Sequence, residues 1–268
     1  MTSTRPDLGR LLGGMPALLT ASPLPDKAVG DAFGDAMAAL AHFDHIVVFA
    51  YRGRERPIDL YSTFDPPDYK IFVTLYQAGP YLLDPFYHTA RERRPGIFRM
   101  RELAPDRFFS SEYFRTYYSQ TRLAEEIGFF VPAEEGVTVV LSLMRRTASR
   151  AFSAREFDLL RQAEPFVAAL TRRFWSGLAM RFDQAAQARR TGRPDGAHPR
   201  AKGVWGRLDL TAREAAIVEL VLQGHSSEAV GRRLGIATGT VKVHRRNVYR
   251  KLGISSQTQL LSLYLKSM

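Results

Sequence analysis

The residues best suited to chemistry lie in GTVKVHRRNVYRKLGI, Gly239 to Ile254. Five cations, Lys242, Arg245, Arg246, Arg250 and Lys251, and one histidine share a segment whose apolar residues recur at helical spacing. On a helix, Val241, His244, Val248 and Leu252 form one stripe, leaving Lys242, Val243, Arg246 and Arg250 on the remaining surface. The stripe predicts packing against Ile217, Leu220, Val221, Val230 and Leu234 of two preceding helices. His244 falls on it and reads as a structural, mostly buried histidine. The outward set suits a DNA major groove, where long cations donate to guanine O6 and N7 and a small apolar side chain meets a thymine methyl. A basic helix is more often only a solvated face. The short, glycine-containing turn from Leu234 to Gly239 favours the groove instead.

Charge placement supports the same reading. Residues 189–268 hold 15 Lys+Arg against 5 Asp+Glu, which is +10 of the chain's net +11. An excess concentrated in one domain is the electrostatic footprint of a polyanion partner.

A second group of candidate residues lies earlier, where Tyr76, Tyr81, Asp84 and Tyr87 fall within one short span. Several tyrosines beside a carboxylate could hold an amine or amide through cation–π and hydrogen-bond contacts. Asp84-Pro85 also has a purely local reading, as the N-cap and first residue of a helix. Phe109, Tyr113 and Tyr117 fall at helical spacing and read as core.

The elements around these residues divide into two patterns. Val29, Phe33, Met37 and Leu40 mark a helix, and HIVVFAYRG and PIDLYST read as strands joined by a polar turn. A helical stretch follows from about Tyr69 to Gln77, and GIFRM is a further candidate strand. EIGFFVPAE and GVTVVLSLMRR form a hairpin about Glu134–Gly136. A capping box, Ser153 with Glu156, opens a long helix expected to run to about Arg189. The predicted fold is an α+β sensor sandwich, an antiparallel sheet flanked by helices, over residues 1–188. The Gly, Pro and Arg content of 189–203 marks a linker. Residues 204–268 read as an all-α four-helix helix-turn-helix domain, with caps at Thr211, Ser226 and Ser255 or Ser256.

Composition excludes several functions. The chain has no cysteine, hence no disulfide, thiolate metal site or cysteine nucleophile, which fits a cytoplasmic location. Its six histidines have no metal-ligand spacing, and GxSxG, HExxH and GxxxxGK[ST] are all missing, so neither an enzyme nor a cofactor is expected. No apolar run approaches the ~20 residues of a membrane span. The N-terminal RPDLGRLLGGMPALLTASP carries Asp7, Gly13, Gly14 and Pro16, and reads as a loose arm or short helix rather than a signal peptide.

The segment from Leu210 to Ile254 resembles the DNA-binding domain of LuxR-type bacterial transcription regulators. The matching features are Leu210-Thr211 with Arg213-Glu214, Gly224 with Ser226, Leu234, Thr240-Val241-Lys242 with His244, and Lys251-Leu252-Gly253. The resemblance implies that Lys242, Val243 and Arg246 reach base edges, while Ser226, Thr240, Arg245 and Arg250 meet phosphates. It implies a homodimer through Leu260, Leu261 and Tyr264, two recognition helices about 34 Å apart on an inverted-repeat operator, and RNA polymerase as a further partner. Ala237 stands where the family usually has a capping serine, so Thr238 is expected to cap one residue later.

The first domain is similar in pattern to GAF/PAS-like sensors, and YQAGPYLLDPFYHTARE resembles the Asp-Pro region of autoinducer-binding domains, where the aspartate meets the ligand's amide. The tryptophans flanking that pair in the group are missing here, which argues against an acyl-homoserine lactone. The function implied is a sequence-specific transcription regulator controlled by a small molecule, the alternatives being control by a protein partner or lactone quorum sensing. The helix from Ser153 to Arg189 is expected to act as the lever between domains.

Overall fold

The computed structural model describes residues 24–134, 136–191, 205 and 208–266; the N-terminal arm and most of the expected linker lie outside them. Strands β1 (His45–Arg52), β2 (Ile58–Ser62), β3 (Gly96–Arg99), β4 (Leu123–Pro132) and β5 (Val137–Arg146) form one antiparallel sheet in the order β2-β1-β5-β4-β3. Both expected hairpin strands form, and Phe129 pairs with Leu141 in their register.

Strand alternation sorts the sheet's residues onto two faces. Ile46, Val48 and Ala50 of β1 and Ile127 and Phe129 of β4 share one core with the helix Asp26–Ala38 and the long helix that begins at Ala154. Val47, Phe49 and Tyr51 look the other way, with Phe130 of β4 and Val140 and Met144 of β5. Over that second face lie the short helices between β2 and β4. Pro66–Tyr69 is α-helical and Lys70–Leu75 is a π-helix, so the stretch expected from Tyr69 to Gln77 is helical but not one regular helix. Phe86 of the helix Pro85–Arg91 settles onto β4 at Gly128. A Cβ there would stand 2.7 Å from its ring, so only glycine permits the approach.

The long C-terminal helix of this domain is not continuous. It runs from Ala154 to Phe174 behind the Ser153–Glu156 capping box, stops, and restarts as Leu178–Thr191. Trp175 leaves the helix to stack on Phe33, ring centroids 5.4 Å apart, and Gly177 takes a φ of +73°. The Glu134 carboxylate, from the β4–β5 turn, then accepts the Gly177, Leu178 and Ala179 amides and so caps the second segment. A single lever from Ser153 to Arg189 is therefore excluded. The second segment also reaches Thr191, inside the stretch expected to be linker.

The C-terminal domain consists of Ala212–Leu222, Ser227–Leu234, Thr238–Lys251 and Gln257–Lys266. The Thr211–Glu214 capping box, the Ser226 cap and a Ser256 cap on the last helix all form. Thr238 does not cap. Ala237 is the N-cap of Thr238–Lys251, and no side chain caps that helix. Among the described residues no helix is long and apolar enough to cross a membrane.

Candidate functional site

The sheet face not covered by the long helix bounds a buried cavity of about 30 Å³, above the ~10–15 Å³ that one water requires. Its floor comes from neighbouring rows of the central strands: Val47 pairs with Ser142 and Ser142 with Gly128, while Met144 pairs with Glu126. Its roof comes from Tyr76, Asp84, Phe86, Tyr113, Tyr117 and Tyr118.

Asp84 caps a helix, as the local reading expected, and also faces the cavity. One carboxylate oxygen accepts the Phe86 amide at 2.8 Å and caps the helix Pro85–Arg91; the other accepts the Tyr76 hydroxyl at 2.8 Å inside the cavity. The Tyr51 and Tyr76 hydroxyls lie 2.9 Å apart, extending this chain to β1.

Tyr81 and Tyr87, expected beside Asp84 at the ligand, do not line the cavity. They lie on the 3₁₀ and α turns before and after Asp84, and their hydroxyls donate to the Arg54 and Gly53 carbonyls at 3.3 and 3.1 Å. Residues close in sequence are fanned apart by those two turns. The partners that replace them come from elsewhere. Tyr113 and Tyr117, read as core, face the cavity, and the Tyr113 hydroxyl is buried without a hydrogen-bond partner.

Glu126 was the residue that sequence reasoning missed. It is 6% exposed, lines the cavity from β4, and accepts the Tyr118 hydroxyl at 3.0 Å. Its signal was available: Glu126 shares the alternation of Gly128 and Phe130, which puts a carboxylate on a buried face. Burial raises the Asp84 carboxyl above its ordinary range. Burial, and then the charge of Asp84, raise that of Glu126 further.

In the C-terminal domain, Val241 is fully buried with Ile217, Val221 and Val230, and Leu220 and Leu234 pack around them. Val248 is buried in a cluster with Val218, Leu222 and Leu260, and His244 is half-buried. With that side held, Lys242, Val243, Arg246, Thr240 and Arg250 are exposed, Val243 at 45%. Arg245 is half-buried, donating to the Ser227 hydroxyl at 3.3 Å, and Arg250 donates to Asn247 at 2.5 Å. The Ser226 hydroxyl accepts the Ala229 amide as a cap. This is one exposed cationic face with an apolar side chain, Val243, among the cations.

The two domains touch. The Arg107 amide donates to the Gly224 carbonyl and the Ser226 amide to Asp106, both at 2.9 Å. Burial opposes the charge on Asp106, but its hydrogen bonds to Ser226 outweigh that and hold its carboxyl below the usual range. Gly224 has φ +97°, and a Cβ on it would lie 2.7 Å from the Phe108 Cα. Arg54 pairs with Glu219, and Thr258 donates to Glu112. Leu260, Leu261 and Tyr264, the expected dimer contacts, are buried within this chain, and Tyr264 stacks on Trp205 at 4.9 Å. In this arrangement they are not available to a second copy.

Among the described residues no group of three or more His, Asp or Glu could hold a metal ion.

Comparison with known proteins adds three findings. The family of bacterial regulatory proteins, luxR family, matches residues 208–264. A putative HTH-type transcriptional regulator in the exeN 3′ region of Aeromonas salmonicida is 33% identical over 188 residues, covering 68% of this chain and 93% of that one. The crystal structure of the VqsR LBD domain from Pseudomonas aeruginosa is similar to 59% of this chain over 92% of its own length, with a TM-score of 0.50 and 27% identity.

Proposed function

The chain belongs to the LuxR family of bacterial regulatory proteins, and on that premise we propose that it reads a specific DNA operator under the control of a small organic molecule bound in the cavity of its first domain. Residues 1–188 are the sensor, 189–203 the connection and 204–268 the reader. Lys242, Val243 and Arg246 contact base edges, and Ser226, Thr240, Arg245 and Arg250 the backbone. The observation that carries this is the open face of the recognition helix Thr238–Lys251, cationic outside and fixed behind by Val241 and Val248. Basic side chains on a rigid helix suit base readout, while the same charges on a mobile segment give only salt-dependent, sequence-independent attraction.

Control by a ligand is supported by the cavity's polar groups converging in an otherwise apolar space, the usual anatomy of a small-molecule site. An amine or an amide suits Asp84 and Tyr76. Coupling to DNA runs through the domain contact at Phe108 and Gly224. Release of the reader from the sensor, with a rearrangement of the last helix around Leu260, Leu261 and Tyr264, lets two readers pair about one duplex turn apart on an inverted repeat.

Selection of operators from random duplexes, followed by binding measurements on the recovered sequence, tests this reading. Enrichment of an inverted repeat is expected. Equal retention of all sequences would overturn it.

A further inference from the structure

Resting on the reading of the cavity as the effector site, we infer that the effector is a small organic cation, an ammonium with a short apolar body, whose charge sits between the carboxylates of Asp84 and Glu126. The cavity holds two carboxylates, and among the described residues no lysine, arginine or histidine lines it. The titratable groups facing the pair are tyrosines: Tyr76 and Tyr51 on the Asp84 side, Tyr118 on the Glu126 side, with Tyr113 and Tyr117 also in the roof. Two buried acids without a counter-ion are costly when ionised. The pair therefore holds a proton above the ordinary carboxylate range, Glu126 more firmly than Asp84, because burial and then the charge of Asp84 both act on it.

An ammonium supplies the missing charge and displaces a proton. The unpaired Tyr113 hydroxyl offers its oxygen to an N–H donor, and the aromatic walls favour a cation over their faces. A neutral amide can hydrogen-bond the same groups but brings no positive charge to the two carboxylates. The free space of about 30 Å³ limits the head group to a few atoms.

Calorimetric titration of the full chain with n-butylammonium chloride, n-butanol and n-butyramide at pH 6, 7 and 8 tests the inference. Butylammonium is expected to bind at least tenfold tighter than either neutral probe. Its affinity should rise with pH, by at most about tenfold per unit for each proton displaced. Glu126→Gln should remove that preference. The pH dependence of the unaltered protein stands even if the variant fails to fold. Neutral probes binding as tightly as butylammonium, a folded Glu126→Gln that keeps full ammonium affinity, or no butylammonium binding at millimolar concentration would each overturn it. Butyramide binding that shifts operator affinity would sink the cation while leaving the effector cavity standing. If none of the three binds or alters operator affinity, the cavity reading falls as well.

Discussion

The Ser226 amide donates to the Asp106 carboxylate at 2.9 Å, so an acid of the sensor sits at the N-terminus of a reader helix. Helix N-termini favour anions, and a DNA phosphate would compete for the same amide. Asp106→Ala should loosen the docked state and raise operator affinity in the absence of effector. The gain should be roughly fivefold, the lower end of a 1–3 kcal/mol coupling, measured by fluorescence anisotropy. Unchanged affinity would separate the contact from regulation.

Lys242→Ala and Arg246→Ala should each cost about 1–3 kcal/mol on the operator and relax specificity at one base pair. Arg250→Ala should weaken all duplexes alike and lower the salt slope by about one. Titrations on operator and scrambled duplex at several salt concentrations distinguish the two classes.

Glu126→Gln should stabilise the effector-free chain, and more so at high pH. The folded carboxyl is raised above its unfolded value by burial and then by Asp84. The cost of ionising it is therefore absent at low pH, begins above the unfolded pKa of about 4.3, and grows until the folded carboxyl ionises. Melting curves at pH 5 and 8 should show the larger gain at pH 8, about 2–4 °C for each kcal/mol recovered.

Gly128→Ala should cost about 1–3 kcal/mol through overpacking against Phe86. Phe86 lines the cavity, so effector affinity should fall while DNA affinity in the effector-free protein is retained. Thermal unfolding and paired ligand and DNA titrations check both halves.

The reader domain was largely legible because its signals are local. Thr211 with Glu214, Ser226 and the Val241 to Leu252 stripe fix caps and faces within a few residues. The cavity was less so, since its walls come from distant segments. Asp84 and Tyr76 were identified, but Tyr81 and Tyr87 turn away, and Glu126 enters from a strand some forty residues later. Only the sheet register, Glu126 opposite Met144, brings it to the site. The break at Trp175 was equally hidden, because its causes are Phe33 and Glu134, neither of which is near it in sequence.

That break changes how force leaves the sensor. Glu134 grips the start of Leu178–Thr191 from the tip of the β4–β5 hairpin, and those same two strands carry Glu126 and Ser142 at the cavity. Movement of the hairpin on filling of the cavity would therefore steer the departing strut at its root, like a tiller.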